Sequence, residues 1–107
     1  MKKILMLGFA ALAATNAQAT TTNGVAINVT GIVAGAADLS VYNLAGPRIK
    51  SAFMYCTFRD SDGQRIDSVP VYVANLEPGE TANQRATMSN RIIANKVDCF
   101  LESVRRD

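Results

Sequence analysis

Residues 49–67 constrain this chain more than any other stretch. They read Ile-Lys-Ser-Ala-Phe-Met-Tyr-Cys-Thr-Phe-Arg-Asp-Ser-Asp-Gly-Gln-Arg-Ile-Asp. An extended apolar and aromatic run meets a tight Asp62-Gly63 turn and heads back, which predicts a β-hairpin. Strand side chains point alternately to opposite faces, so the central strand Ile49 to Arg59 divides into two sets. Lys50, Ala52, Met54, Cys56 and Phe58 form one; Ile49, Ser51, Phe53, Tyr55 and Thr57 form the other. The first grows more apolar toward its far end and carries a cysteine, so it is assigned to the core. The second keeps two aromatics for a sheet face or a partner. Asp-Gly favours a type I′ turn, whose two central residues both need positive φ.

The chain begins with Lys2 and Lys3, continues with 11 mostly apolar residues from Ile4 to Ala14, and reaches Ala17-Gln18-Ala19. This is the layout of a secretory signal peptide over residues 1–19, with a single domain over 20–107. The apolar run falls well short of the roughly 20 residues a spanning helix needs, so no membrane insertion is expected. Removing both lysines takes the formal net charge from +2 to zero, nine basic against nine acidic residues. The remainder has no excess of positive charge for nucleic acid. The expected location is periplasmic or secreted, and in that setting the two cysteines, Cys56 and Cys99, predict one disulfide. It closes a loop of about 44 residues, which the loop-entropy model values near 4 kcal/mol at most.

Along the chain, Thr20 to Gly24 is polar and short-chained and is expected to be disordered or a leader into the first strand. Val25, Ile27 and Val29 alternate with Ala26, Asn28 and Thr30 as a half-buried strand, and Gly31 predicts a bulge before Ile32-Val33. Gly35-Ala36-Ala37 reads as a loop, Leu39 to Tyr42 as a second strand, and Gly46-Pro47 as a turn. After the hairpin, Arg65 to Ser68 is the return strand, and Pro70 marks an edge or a break before Val71 to Leu76. Glu77-Pro78-Gly79-Glu80 fits a type II turn, and Thr81 to Met88 alternates again. The last segment has two readings. Val97, Cys99 and Leu101 alternate as in a strand, while Ile93, Val97, Phe100, Leu101 and Val104 also fit helical spacing. The strand is favoured because Cys99 must reach Cys56, and the alternative is an α+β chain with a C-terminal helix. Arg105-Arg106 reads as a solvated tail.

About seven short strands broken by Gly and Pro turns predict an all-β, antiparallel, immunoglobulin-like sandwich with one disulfide, placed between the sheets. The chain has no Trp, so the residue that flanks the bridge in antibody domains is missing.

The stretch Asn43 to Glu80 resembles the bacterial FxLyD-type domain, a small immunoglobulin-like sandwich of exported and surface proteins. The likeness is carried by Asn43 with the Gly46-Pro47 turn, Cys56-Thr57-Phe58-Arg59-Asp60, Asp62-Gly63 and Leu76-Glu77-Pro78-Gly79-Glu80. Every matched residue belongs to a turn or the core. The resemblance implies a binding or structural module; the disulfide is not a feature of that family.

The chain has no histidine. That excludes Ser-His and Cys-His nucleophilic catalysis and removes the common zinc ligand, and two cysteines cannot build a Cys₄ site. Asp60 and Asp62 at calcium-loop positions three and five would put Phe58 and Val69 at one and twelve, where neither can ligate. Glu77 and Glu80 lie on a turn expected to be solvated, without the burial that raises a carboxyl pKa. The reading is a non-enzymatic protein with no cofactor or metal, whose partner is another protein. It binds or assembles through the Phe53 and Tyr55 face, with Tyr72 nearby, or through a free sheet edge between Pro70 and Leu76. The alternative is a small periplasmic inhibitor of a cell-wall or host enzyme, using Asp60, Asp62 and Gln64 as its plug.

Overall fold

The structure is a computed structural model that describes residues 18–89 and 94–107. Seven strands follow in order: β1 (Gln18–Thr22), β2 (Val25–Val33), β3 (Ala36–Asn43), β4 (Ile49–Arg59), β5 (Arg65–Leu76), β6 (Thr81–Thr87) and β7 (Lys96–Arg106). They form two antiparallel sheets, β1-β2-β3-β6 and β5-β4-β7. The protein is therefore all-β, immunoglobulin-like in its layers and strand number, with a Cys56–Cys99 disulfide. Its strand order is its own. β1, β2 and β3 run as a meander, where antibody constant domains group their strands ABED and CFG. The lysines and apolar run of the expected signal peptide lie outside the described residues.

The core fills the space between the sheets. Val25, Ile27 and Val29 of β2 and Leu39 and Val41 of β3 face Ala52, Met54, Cys56 and Phe58 of β4, with Val71, Val73, Val97 and Cys99 beside them. Alternation places these residues correctly except at the start of β4, where Ile49 is buried and Lys50 exposed. The register with β7 shifts between Ile49 and Ser51, and one extra residue flips every side chain before it to the other face. The expected irregularity at Gly31 is present as a shift between Val29 and Gly31.

Several expectations change. Thr20 to Gly24 is neither disordered nor only a leader: Thr20–Thr22 belong to β1, paired through Thr20↔Ile27 and Thr22↔Val25, and Asn23-Gly24 make the turn. Both turn residues have positive φ, 53° and 75°, the type I′ requirement. Asp62-Gly63 is not such a turn, because only Gly63 is positive there, at 81°. Gly63 N donates to Asp60 O and Asp60 N donates to Gln64 O, which makes a longer loop closing on a left-handed glycine. Ala36 and Ala37 open β3 rather than lying in a loop. Arg65 to Leu76 is one strand, and Pro70 does not break it, since β5 is an outer strand whose ladder needs no second N–H partner at that residue. The type II turn stands as expected, with Gly79 at φ 80° and Glu80 N donating to Glu77 O.

The C-terminal segment is a strand and not a helix. The disulfide lies within one sheet rather than between two. Cys56 and Cys99 are direct cross-strand partners in β4 and β7, with Cα atoms 4.0 Å apart, and both are fully buried. An apolar position on each strand fits either arrangement; the register decides.

Arg106 is no solvated tail. It donates through Nη1 to Asn43 Oδ1 at 3.1 Å and to Pro47 O, and through Nη2 to Asn23 O at 2.9 Å. Asn43, only 1% exposed, donates in turn to Leu76 O and Pro47 O. One polar knot thus ties together three loops and the last strand.

Candidate functional site

The most distinctive surface is the outer face of sheet β5-β4-β7. Directly opposed residues in neighbouring strands share a face, so the register converts the sequence into five rows across the three strands. From the hairpin end they read Arg65–Arg59–Lys96, Ser68–Thr57–Asp98, Pro70–Tyr55–Phe100, Tyr72–Phe53–Ser103 and Ala74–Ser51–Arg105. The middle rows bring four aromatic rings together. Phe53 and Tyr55 are each 44% exposed, Tyr72 51% and Phe100 55%. The Phe53 and Tyr72 rings stand 4.8 Å apart, tilted by 54°, in the range where aromatic pairs attract.

These rings sit outside because Ala52, Met54, Cys56, Val71, Val73, Val97 and Cys99 occupy the inward positions of the same strands. At about 100 Å² left uncovered on each ring, the patch reaches roughly 400 Å². That is within the size range of the largest apolar patch on a typical monomer, which is often functional. Phe53, Tyr55 and Tyr72 are thus assembled where alternation puts them. Phe100 completes the patch and was not among the candidates; its outward parity in β7 is visible in the sequence, but its neighbour Tyr55 is 45 positions away and set only by register.

Asp60, Asp62 and Gln64 lie at the tip of the β4–β5 hairpin. Asp60 Oδ1 accepts from Asp62 N and Gln64 N, both at 2.9 Å, so this carboxylate organises its own loop. The loop begins five residues beyond Tyr55, about 16 Å along an extended strand; the two sets of candidates form separate regions.

The outer face of the other sheet is polar. Asp38 and Arg85 pair across β3 and β6 with two hydrogen bonds, 2.7 and 3.1 Å. The hydrogen bond from Arg85 holds the Asp38 carboxyl below its ordinary 3.8, and that from Arg48 does the same for Asp107. A carboxyl lowered by folding stabilises above its unfolded pKa, and that contribution fades as pH falls through the lower folded value. Acid unfolding should accordingly steepen below pH 3.8. An Arg85→Ala, Arg48→Ala variant should show a flatter dependence in that window, measured by urea midpoints at successive pH values; identical slopes would contradict the assignment.

No group of three or more His, Cys, Asp or Glu side chains able to hold a metal ion occurs among the described residues. Comparison with protein-family models, with curated proteins and with solved structures yields no match to this chain.

Proposed function

We propose that this protein is an exported, non-enzymatic binding or assembly module that contacts another protein through the outer face of sheet β5-β4-β7. The observation that carries the reading is the exposed Phe53, Tyr55, Tyr72 and Phe100 cluster, four half-uncovered rings on contiguous register positions. Aromatic side chains dominate the energy of protein interfaces, and such anchors cluster at the centre of the contact. The likeness of Asn43 to Glu80 to FxLyD-type domains points the same way. Export to the periplasm or beyond is supported by the lysine-led apolar N-terminus, and the buried disulfide is consistent with an oxidising compartment.

The inhibitor reading has less behind it. A plug needs side chains free to enter a site, and Asp60 is engaged in holding its own loop.

The test is comparative capture from a cell-envelope extract with the native protein and a Tyr55→Ser, Phe100→Ser variant. Both substitutions lie on the outer face, so the variant should keep its fold by circular dichroism. A protein held stoichiometrically by the native form and lost from the variant is the expected result. Equal retention by the variant, with loss on Asp62→Ala, Gln64→Ala, would move the contact to the hairpin tip.

A further inference from the structure

The same face carries a feature that the aromatic rows do not explain. Arg65, Arg59 and Lys96 stand side by side on β5, β4 and β7. Like charges directly opposed in a sheet are destabilising, and this row opposes them twice. Among the described residues the compensation is slight. Arg59 Nε lies 3.8 Å from Asp98 Oδ2, and Arg59 Nη1 donates to Gly63 O. Neither Arg65 nor Lys96 has a carboxylate within ion-pair distance. Of the acids near in sequence, Asp60 is committed to its loop and Asp67 to Ser68 N, Asp98 is the one paired with Arg59, and Asp62 lies on the hairpin loop outside ion-pair distance of the row.

At the other end of the rings, Arg105 stands opposite Ser51, and Lys50 is exposed beside it. Leaving aside Arg106, which is held in the knot with Asn43, strands β4, β5 and β7 carry Lys50, Arg59, Arg65, Lys96 and Arg105 against Asp67, Asp98 and Glu102. In the facing sheet Asp38 and Arg85 balance. The positive excess is therefore concentrated on the sheet that also exposes the rings. The aromatic patch alone provides about half of the roughly 800 Å² per side of a standard protein interface, so a stable contact must extend onto these charged rows.

Resting on the binding reading above, we infer that the partner presents an acidic protein segment: its carboxylates meet the Arg65–Arg59–Lys96 row while its apolar side chains cover Tyr55, Phe100, Phe53 and Tyr72. A protein segment fits better than a nucleic acid because Asp98 lies between the cations and the rings, and Glu102 is exposed at the register shift of β7 between the two aromatic rows. A phosphodiester backbone, charged at every nucleotide, would pass over both acids. A peptide places carboxylates only where the cations are. Four residues of β4 separate Arg59 from Tyr55, about 13 Å, which sets the spacing from acidic to apolar positions in the partner.

The test uses a 12-residue peptide with four glutamates followed by alternating leucine and threonine, its glutamine analogue, and a single-stranded 12-nucleotide DNA. Nuclear magnetic resonance follows the signals of Arg59, Arg65, Lys96, Tyr55 and Phe100. The glutamate peptide should shift all five and bind about tenfold more tightly than the glutamine analogue at low salt, the advantage vanishing near 300 mM as screening takes over. Arg65→Glu, Lys96→Glu should erase that advantage and leave the glutamine analogue unchanged, whereas Tyr55→Ser should weaken both peptides. Equal binding of the two peptides overturns the acidic assignment and leaves the aromatic reading standing. Indifference of both peptides to Tyr55→Ser counts against the aromatic reading itself. Tighter binding of the DNA through the same residues overturns the choice of protein. Independently of any ligand, Lys96→Gln should raise the thermal midpoint; an unchanged or lower midpoint would show that the row is not self-repelling and would remove the premise.

Discussion

A Cys56→Ala, Cys99→Ala variant is expected to lose about 3–4 kcal/mol of stability, a large part of the 5–10 kcal/mol typical of a small domain. The bridge joins residues 43 positions apart, and opening it returns to the unfolded chain the freedom of a long loop. Its place in the sheet adds to the effect. β7 is an outer strand whose sheet neighbour is β4, and the bridge fastens the two three residue pairs from the Arg59–Lys96 end, immediately beside the Tyr55–Phe100 row. With a urea slope near 1–1.5 kcal/mol/M, the midpoint should fall by about 2–4 M. Hydrogen exchange should show β7 opening before β2 and β3. Because both sulfur-bearing residues are fully buried, a reductant added to the folded protein should act only as fast as the domain opens. A midpoint within about 0.5 M of the native value would mean that packing alone holds β7 in place.

What the sequence makes legible is what neighbouring residues decide together. The β4–β5 hairpin, the alternation of β2 and the Glu77–Glu80 turn are local, and they stand as read apart from the hairpin's turn type. Disulfide pairing is legible too, because only two cysteines exist, but its position within one sheet is not. That depends on β4 and β7 being neighbours, a pairing across some forty residues that apolar alternation does not encode. Arg106 fails for the same reason: near a chain end an arginine looks solvated, and only the closing of three loops around it reveals its partners. Asn23-Gly24 is a different case. That dipeptide is a strong local hairpin signal, yet Thr20–Thr22 before it lacks the apolar alternation that identifies a strand, because β1 is short and lies at a sheet edge. Among the binding candidates, Phe53, Tyr55 and Tyr72 follow from parity along their own strands. Phe100 and the Arg65–Arg59–Lys96 row require the register of all three strands, so the full face exists only in the folded chain.

Asn43→Leu is expected to destabilise by about 3 kcal/mol, although leucine is more hydrophobic and of similar size. The Asn43 amide lies at 1% exposure and uses both ends: Nδ2 donates to Leu76 O at 3.1 Å and Pro47 O at 3.2 Å, and Oδ1 accepts from Arg106 Nη1. Its backbone joins the same knot, N donating to Glu80 O and O accepting from Gly79 N. Leucine would leave the Leu76 carbonyl without its side-chain donor and deprive the Arg106 guanidinium of one acceptor. Buried groups left unsatisfied cost about 1–3 kcal/mol each, more where a charge is involved. Arg106→Gln, made at a less buried site that keeps some donor capacity, should cost about 1–2 kcal/mol. The two residues share a hydrogen bond and the Pro47 acceptor, so the double variant should lose measurably less than the sum of the single losses. Urea unfolding of the four proteins supplies the cycle. Strict additivity, or a loss below about 1 kcal/mol for Asn43→Leu, would show that the loops are held by their own turns and that Arg106 merely rests against them.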